Sequence, residues 1–327
     1  MNFLKKACLA GLLSVTTLGL TAANASASNY PEKQVRWLVP YPAGGGSDFL
    51  ARTIAQPLAE KTGQTVLVDN KPGGNTSIAA VETARSTPDG YTVLSADNGT
   101  MVFNSALYKN LSYDPVKDLE PVTLMGKFPM ILIVSPNSGI NSVEEFVQKT
   151  RENPGKLNYG SAGAGSPHHL AMELLKEEAD IDIVHVPYRG AAPSLSDVAG
   201  GQVQAMMVDL AAGAGFIKSG KVKALAVANG SRLSQLPEVP TFAEAGYKEV
   251  EAAALVGMVA TAGTPKDTIA SLNKKVVEVI NEPVVNKKMI DFGIEPVGNT
   301  PEEYEELLNN ERERWHKLIS DLKITLD

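Results

Sequence analysis

Two glycine-rich stretches carry the residue types best placed to hold a small molecule. One is Pro40-Tyr41-Pro42-Ala43-Gly44-Gly45-Gly46-Ser47-Asp48, and the other is Gly160-Ser161-Ala162-Gly163-Ala164-Gly165-Ser166. Each follows a short apolar run and precedes a helical pattern. A glycine loop ahead of a helix N-terminus lets bare N–H groups point at a ligand, and the helix dipole favours negative charge there. Glycine also serves tight turns in general, so one such loop is ambiguous. Two of them, about 120 residues apart in separate strand–helix halves, point to a ligand cleft between domains.

Further candidates lie beside these loops. Arg189 follows an apolar run and precedes Gly190-Ala191; its guanidinium suits either a forked grip on a carboxylate or an ion pair. Asp209 ends the run 203–208, as a polar group at the cleft mouth or as a helix N-cap. His168 is either a helix-start residue or a ligand hydrogen-bond partner. Asp97 caps a helix or pairs with a ligand ammonium. Asn98 and Thr100 beside it join the candidate contacts. Tyr41, Phe49, Met101 and Phe103 either wall an apolar pocket or belong to the core.

Several chemistries find no support. There is no G-x-x-x-x-G-K-[ST], and Phe49 stands where a G-x-G-x-x-G would need its last glycine. No G-x-S-x-G surrounds Ser161 or Ser166. His168 and His169 are adjacent and diverge on a helix, while His185 and His316 are scattered, so no metal set is readable. No nucleophile–base pair appears at a readable spacing. The reading is a binding protein without cofactor or metal, not an enzyme.

The elements that must position these residues alternate. Val35-Arg36-Trp37-Leu38-Val39 reads as a buried strand. Leu50, Ala51, Ile54, Ala55, Leu58 and Ala59 then form a helical stripe that stops at Gly63. Val66-Leu67-Val68, Tyr91-Thr92-Val93-Leu94, Ile131-Leu132-Ile133-Val134, Leu157-Asn158-Tyr159, Ile183-Val184-His185-Val186 and the runs 203–208 and 222–227 read as further strands. Ser142-Val143-Glu144-Glu145 and Thr300-Pro301-Glu302-Glu303 are capping boxes, and a helix is expected over 167–178. Strand–helix alternation argues for parallel sheets covered by helices.

Residues 1–27 read as a cleavable export signal. Lys5-Lys6 precede an apolar run from residue 7 to 20, and Ala25-Ser26-Ala27 supplies an A-x-A cleavage site, with Ala23-Asn24-Ala25 as an alternative. Cys8, the sole cysteine, lies within it, so disulfides and thiolate metal sites are excluded from the mature chain. Cleavage removes two lysines and no acid, leaving 28 basic residues against 37 acidic, a net −9. No Lys/Arg cluster offers a face for nucleic acid. A negative body does not attract anions at long range, so a bound anion needs local donors.

The chain resembles the Bug family, the extracytoplasmic receptors of tripartite tricarboxylate transporters. The 40–48 loop looks like that family's P-x-x-P-G-G-x-x-D loop. Asn70-Lys71-Pro72-Gly73-Gly74-Asn75, Pro88-Asp89-Gly90-Tyr91, Tyr113-Asp114-Pro115-Val116-Lys117-Asp118, Pro154-Gly155-Lys156-Leu157-Asn158-Tyr159-Gly160-Ser161, Val186-Pro187-Tyr188-Arg189-Gly190, Gly200-Gly201-Gln202-Val203 and Ala262-Gly263-Thr264-Pro265 follow in the family's order. The resemblance implies an α/β, two-domain periplasmic-binding-protein (Venus flytrap) fold with two doubly wound mixed or parallel sheets and two crossovers. Residues 28–126 plus 253–327 would form domain 1, and 127–252 domain 2.

It also implies a monomeric periplasmic receptor for a small carboxylate: a di- or tricarboxylate, an aromatic acid or an acidic amino acid. Its partners would be one large and one small integral-membrane subunit. The alternative is the ligand-binding component of a periplasmic signalling system. Carried over by motif position, Gly44, Gly45, Ser47 and Asp48 would lie on one side of the ligand. Ser161, Ser166, His168, Arg189, Gly190, Ala191 and Asp209 would lie on or near the other. Three departures stand out: Pro72-Gly73-Gly74-Asn75 lacks the longer glycine run common there, Ala252-Ala253-Ala254-Leu255 replaces a usual aromatic, and Asp97 replaces a small polar residue.

Overall fold

A computed structural model describes residues 30–326; the export signal expected over 1–27 lies outside them. In chain order the first elements are β1 (Val35–Val39), α1 (Gly46–Thr62), β2 (Val66–Asn70), α2 (Ser77–Ala84), β3 (Thr92–Ala96), a π-helical turn (Gly99–Phe103), α3 (Asn104–Leu107) and β4 (Leu119–Val134). Then come α4 (Val143–Glu152), β5 (Asn158–Ser161), α5 (Pro167–Ala179), β6 (Val184–Pro187), α6 (Ala191–Ala199), β7 (Ala205–Asp209), α7 (Leu210–Lys218) and β8 (Lys223–Val227). The chain closes with β9 (Ala253–Thr261), α8 (Lys266–Ile280), α9 (Pro283–Asp291), β10 (Glu295–Pro296) and α10 (Pro301–Asp321).

Two sheets share one strand. The first runs β2-β1-β3-β9-β4-β10, with β1, β2 and β3 parallel and β9 antiparallel to both β3 and β4. The second runs β8-β4-β7-β5-β6, with β5, β6 and β7 parallel and β4 antiparallel to β7 and β8. Strand β4 pairs with β9 as far as Pro129↔Ala253 and with β7 from Met130↔Asp209 onward. At that point Met130 N–H donates to Ala252 O (2.9 Å), Ala228 N–H to Met130 O (2.7 Å) and Ala252 N–H to Ala228 O (2.9 Å). Both crossings between sheets therefore lie side by side. From α10, Arg314 Nη2 donates to the carbonyls of Glu249 (3.1 Å) and Glu251 (2.7 Å), bracing the second crossing.

The inner strands are buried on both faces, as continuous apolar runs require, while the edge strands β2 and β6 stay partly exposed, with Leu67 and Val184 open to solvent. Trp37 and Val39 pack in a cluster with Leu50, Ile54, Leu272 and Val276, while Leu38 faces another with Leu94, Trp315 and Leu318. In the second sheet Ile131 and Ile133 meet Met206, Val208 and Leu195, and Leu132 and Val134 meet Phe146, Tyr159 and Leu170. The cluster containing Leu38 continues through to Leu132, so one apolar layer runs through both halves.

The expected helix start at Thr300 has a full capping box. At Ser142 the reciprocal bond reaches one residue further back, from Asn141 N–H to Glu145 Oε2 (2.6 Å). The halves also touch through the second glycine loop. Gly165, at φ +75, would place a Cβ 2.7 Å from Leu107 Cδ1 and 2.9 Å from Leu326 Cδ1, so its bare backbone allows the loop to seat against α3 and the tail beyond α10.

Candidate ligand-binding site

The first loop is shaped by one carboxylate. Gly44, at φ +88, donates its N–H to Asp48 Oδ2 (2.9 Å). Asp48 also accepts from Arg52 Nε (3.0 and 3.1 Å) and Asn70 Nδ2 (2.9 Å), and Asn70 Nδ2 reaches Tyr41 O as well (3.0 Å). Burial pushes the Asp48 carboxyl upward, but Arg52, the Gly44 N–H and Asn70 together hold it below the usual carboxylate range. The carboxylate thus ties the loop's start, end and neighbouring strand together. Gly45 is the N-cap of α1 and supplies no side-chain cap, leaving first-turn N–H groups of the kind that bind anions. Gly46 sits so close to domain-spanning elements that a Cβ would lie 2.9 Å from Phe128 Cε1 and 3.5 Å from Ala211 Cβ.

Next to it, the end of β3 turns into the π-helical turn. Asp97 Oδ1 accepts from Thr100 N–H (2.9 Å) and lies 3.0 Å from Thr100 Oγ1, and Oδ2 accepts from Tyr41 OH. Of its two expected roles, these contacts satisfy the cap. Asn98 Oδ1 accepts from Leu255 N–H (2.6 Å) on β9, while its Nδ2 is buried without a partner. Thr100 is enclosed: its Oγ1 is 2.9 Å from Thr76 Oγ1, and its carbonyl accepts from Tyr113 OH (2.7 Å).

The β2–α2 loop holds residues that the sequence did not single out. Asn75 (φ +48) and Thr76 (φ +75) both take left-handed backbone, a genuine outlier for a β-branched residue. Asn104 pins them, donating to Asn75 O (2.8 Å) and accepting from Asn75 Nδ2 (2.9 Å). These bonds join residues 29 positions apart, so only the tertiary fold discloses them.

Across the cleft, Ser166 caps α5 by accepting from His169 N–H (3.3 Å) and donates to Gly163 O (2.7 Å). Ser161 Oγ lies 2.7 Å from His185 Nε2 and accepts from Gly163 N–H (3.1 Å). Both hydroxyls set the loop's shape. His168 Nε2 lies 3.2 Å from Asp209 Oδ2, and Asp209 Oδ1 caps α7 through Ala212 N–H (2.9 Å). Gly190 is the N-cap of α6 without a side-chain cap, and Ala191 opens that helix. Arg189 is exposed, and no ion pair or hydrogen bond engages its guanidinium among the described residues.

Contacts gather these pieces into one place. Tyr41 ties the first loop to Asp97, hence to Asn98. Gly46, beside Ser47, abuts Ala211, two residues beyond Asp209, which holds His168. Four buried side-chain polar atoms lack a partner among the described residues: Ser47 Oγ, Asn98 Nδ2, His168 Nδ1 and Ser135 Oγ. Each such atom costs about 1–3 kcal/mol unless something satisfies it. Three of the four belong to the residues these contacts link: Ser47 follows Gly46, Asn98 follows Asp97, and His168 is held by Asp209. Of the residues that could either wall an apolar pocket or belong to the core, Met101 and Phe103 are core, and Phe49 stacks on Phe292 (centroids 3.5 Å apart) beside a cavity of about 640 Å³ on the α1–α9 face.

Two doubly wound lobes joined by paired crossings, with helix N-termini facing one cleft, define a periplasmic-binding-protein fold. The tripartite tricarboxylate transporter family receptor model matches residues 50–324, and the chain belongs to that family of solute-binding receptors, which are not enzymes. The protein BugT of Bordetella pertussis is 31% identical, with 98% of each chain covered. A Rhodopseudomonas palustris structure, Rpa4515 with adipate, superposes with a TM-score of 0.84 at 34% identity, covering 89% of this chain and 97% of that one. MatC from Rhodopseudomonas palustris with bound malate gives 0.81 at 30%, covering 89% and 100%.

Removing the Asp48 carboxylate tests the loop anchor. Asp48→Ala is expected to lower stability by about 1–3 kcal/mol, read by urea denaturation, because three donors lose their acceptor. A second expectation concerns the buried rings behind the other loop. His169 and His185 stack 4.0 Å apart, and burial first, then nearby positive charge, depresses them to about 4 and about 3. The unfolded chain takes up these protons near 6.5, so stability falls as pH drops from about 6.5 toward 3. The urea midpoint should be lower at pH 5 than at pH 7.5, and the drop should shrink in His185→Gln.

Proposed function

We propose that this chain is a periplasmic receptor that closes two domains around a small dicarboxylate and passes it to a large and a small membrane subunit. What supports this reading is that Ser47 Oγ, Asn98 Nδ2 and His168 Nδ1 are buried and unpartnered among the described residues, on loops and helix starts linked by contacts, while the starts of α1 and α6 carry no side-chain cap. Unpaired N–H and O–H groups at helix starts suit an anion, and a body of net −9 needs such local donors. The acids in the two related structures, adipate and malate, are both dicarboxylates. Export to the periplasm is supported by the signal pattern of residues 1–27, and delivery to membrane subunits by family membership.

In this reading, Ser47, Asn98, His168, Arg189, Gly190 and Ala191 and the backbone of Gly44–Gly45 face the acid, and the enclosed Thr100 holds Asp97 in place. Tyr41, Asp48, Ser161, Ser166 and Asp209 position them. The moving bodies are 28–126 with 253–327, and 127–252, hinging where β4 and the chain before β9 cross together. Calorimetry with C4–C6 dicarboxylates, citrate, amino acids and aromatic acids should find one binder at roughly micromolar affinity or tighter. Gly45→Val should abolish that binding with an unchanged melting temperature: a Cβ there meets only Pro42 O, at 3.8 Å, so the fold has room while the ligand's approach to the backbone is blocked. A panel in which no carboxylate binds would contradict the reading.

A further inference from the structure

His168 is the second residue of α5, and its ring is gripped at one end only. Nε2 lies 3.2 Å from Asp209 Oδ2. An ionised carboxylate only accepts, so Nε2 carries a proton and donates it. In a neutral ring Nδ1 is then a bare lone pair. That nitrogen is buried and has no partner, and the residue is 9% exposed. A ring locked in this way offers the cleft a lone pair when neutral and an N–H when protonated. The two states select opposite ligand groups. The lone pair accepts from a hydroxyl or an ammonium and repels a carboxylate oxygen. The N–H donates to a carboxylate oxygen, and the cation is then flanked by Asp209 and the ligand.

We infer that His168, oriented by Asp209, takes up one proton as a carboxylate enters the cleft, so that capture of the acid and protonation of the ring are a single event. This rests on the carboxylate reading above. The balance is simple: neutral receptor ring, ligand dianion and one proton from solvent give a complex in which Nδ1–H donates to the ligand, with no covalent bond broken.

The surroundings leave this role to few groups. Asp209 is the charged group bonded to the ring, and it comes from the β7–α7 junction. On α5 itself, His169 turns away to stack on His185, near Tyr159 and the Glu173–Lys176 pair, and no hydrogen bond or ion pair joins that cluster to His168 among the described residues. Beyond Asp209, α7 begins with uncharged Leu210, Ala211 and Ala212. The α1 start that abuts Ala211 carries Asp48, already engaged by Gly44, Arg52 and Asn70. From the β3 side, Asp97 is capped by Thr100 and Tyr41. The nearby loop cation in the same domain, Arg189, cannot change its charge in this pH range.

Calorimetry of the mature protein with succinate, malate and adipate, in phosphate and in Tris at pH 7.5, reads proton uptake from the buffer dependence of the heat. Uptake approaching one proton per acid is expected, with affinity weakening toward tenfold for each further unit of pH. His168→Gln should bind at least tenfold more weakly, with heat that no longer depends on buffer. Asp209→Asn, which keeps a side-chain oxygen to cap α7, should reduce the uptake while leaving the melting temperature nearly unchanged. Binding with buffer-independent heat in the unaltered protein would overturn the inference and leave the receptor reading standing. Retention of full uptake in His168→Gln would also overturn it. Absence of binding by all carboxylates, including the wider panel, would instead sink the receptor reading itself.

Discussion

Strand β4 cannot satisfy its backbone within one sheet. Its sixteen residues, Leu119–Val134, are too long for either lobe, so the first part pairs with β9 and the last with β7 and β8. Because the return crossing at Ala252 hydrogen-bonds to Met130 and Ala228, the two lobes are joined by a narrow, paired ribbon. The chain runs from the ends of β1, β3, β5, β6 and β7 into the starts of α1, the π-helical turn, α5, α6 and α7. The residues proposed as contacts lie on the loops and helix starts that follow these strands, where parallel strands hand over to helix N-termini.

Within that cleft, side chains divide their labour. Asp48, Asp97, Ser161 and Ser166 spend their polar atoms on the chain itself, fixing loops and caps. Ser47, Asn98 and His168 keep one polar atom each unspent in a buried setting. A site built this way relies on preorganised dipoles more than on fixed cations, and the exposed Arg189 is its one nearby guanidinium without an ion pair among the described residues. Such an arrangement lets a receptor with a negative body bind an anion without a permanently charged buried cation to desolvate.

Much of this was legible in the amino-acid sequence, for physical reasons. Runs such as Val35–Val39 and Ile131-Leu132-Ile133-Val134 are apolar on both faces and read directly as buried strands. Gly44 and Gly165 mark backbone that a side chain would strain. The first part of β4 was hidden because Pro121, Gly126, Lys127 and Pro129 break its pattern, and pairing with β9 and β10 keeps it extended. Phe49, Met101 and Phe103 could equally wall a pocket or belong to the core, because composition cannot tell core from cleft; Met101 and Phe103 are core, and Phe49 stacks on Phe292. The Asn75–Asn104 clamp and the left-handed Thr76 arise from contacts distant in sequence. Asn98, by contrast, was named for its place beside Asp97, yet its bond to Leu255 N–H, linking the cleft to β9, needed the fold.

The central claim is that the buried, unsatisfied atoms mark where an acid sits. A crystal structure with the tightest-binding dicarboxylate tests it most directly. The account predicts carboxylate oxygens within hydrogen-bond distance of Ser47 Oγ, Asn98 Nδ2 and His168 Nδ1. An acid bound elsewhere, with those three atoms still unpaired, would contradict it.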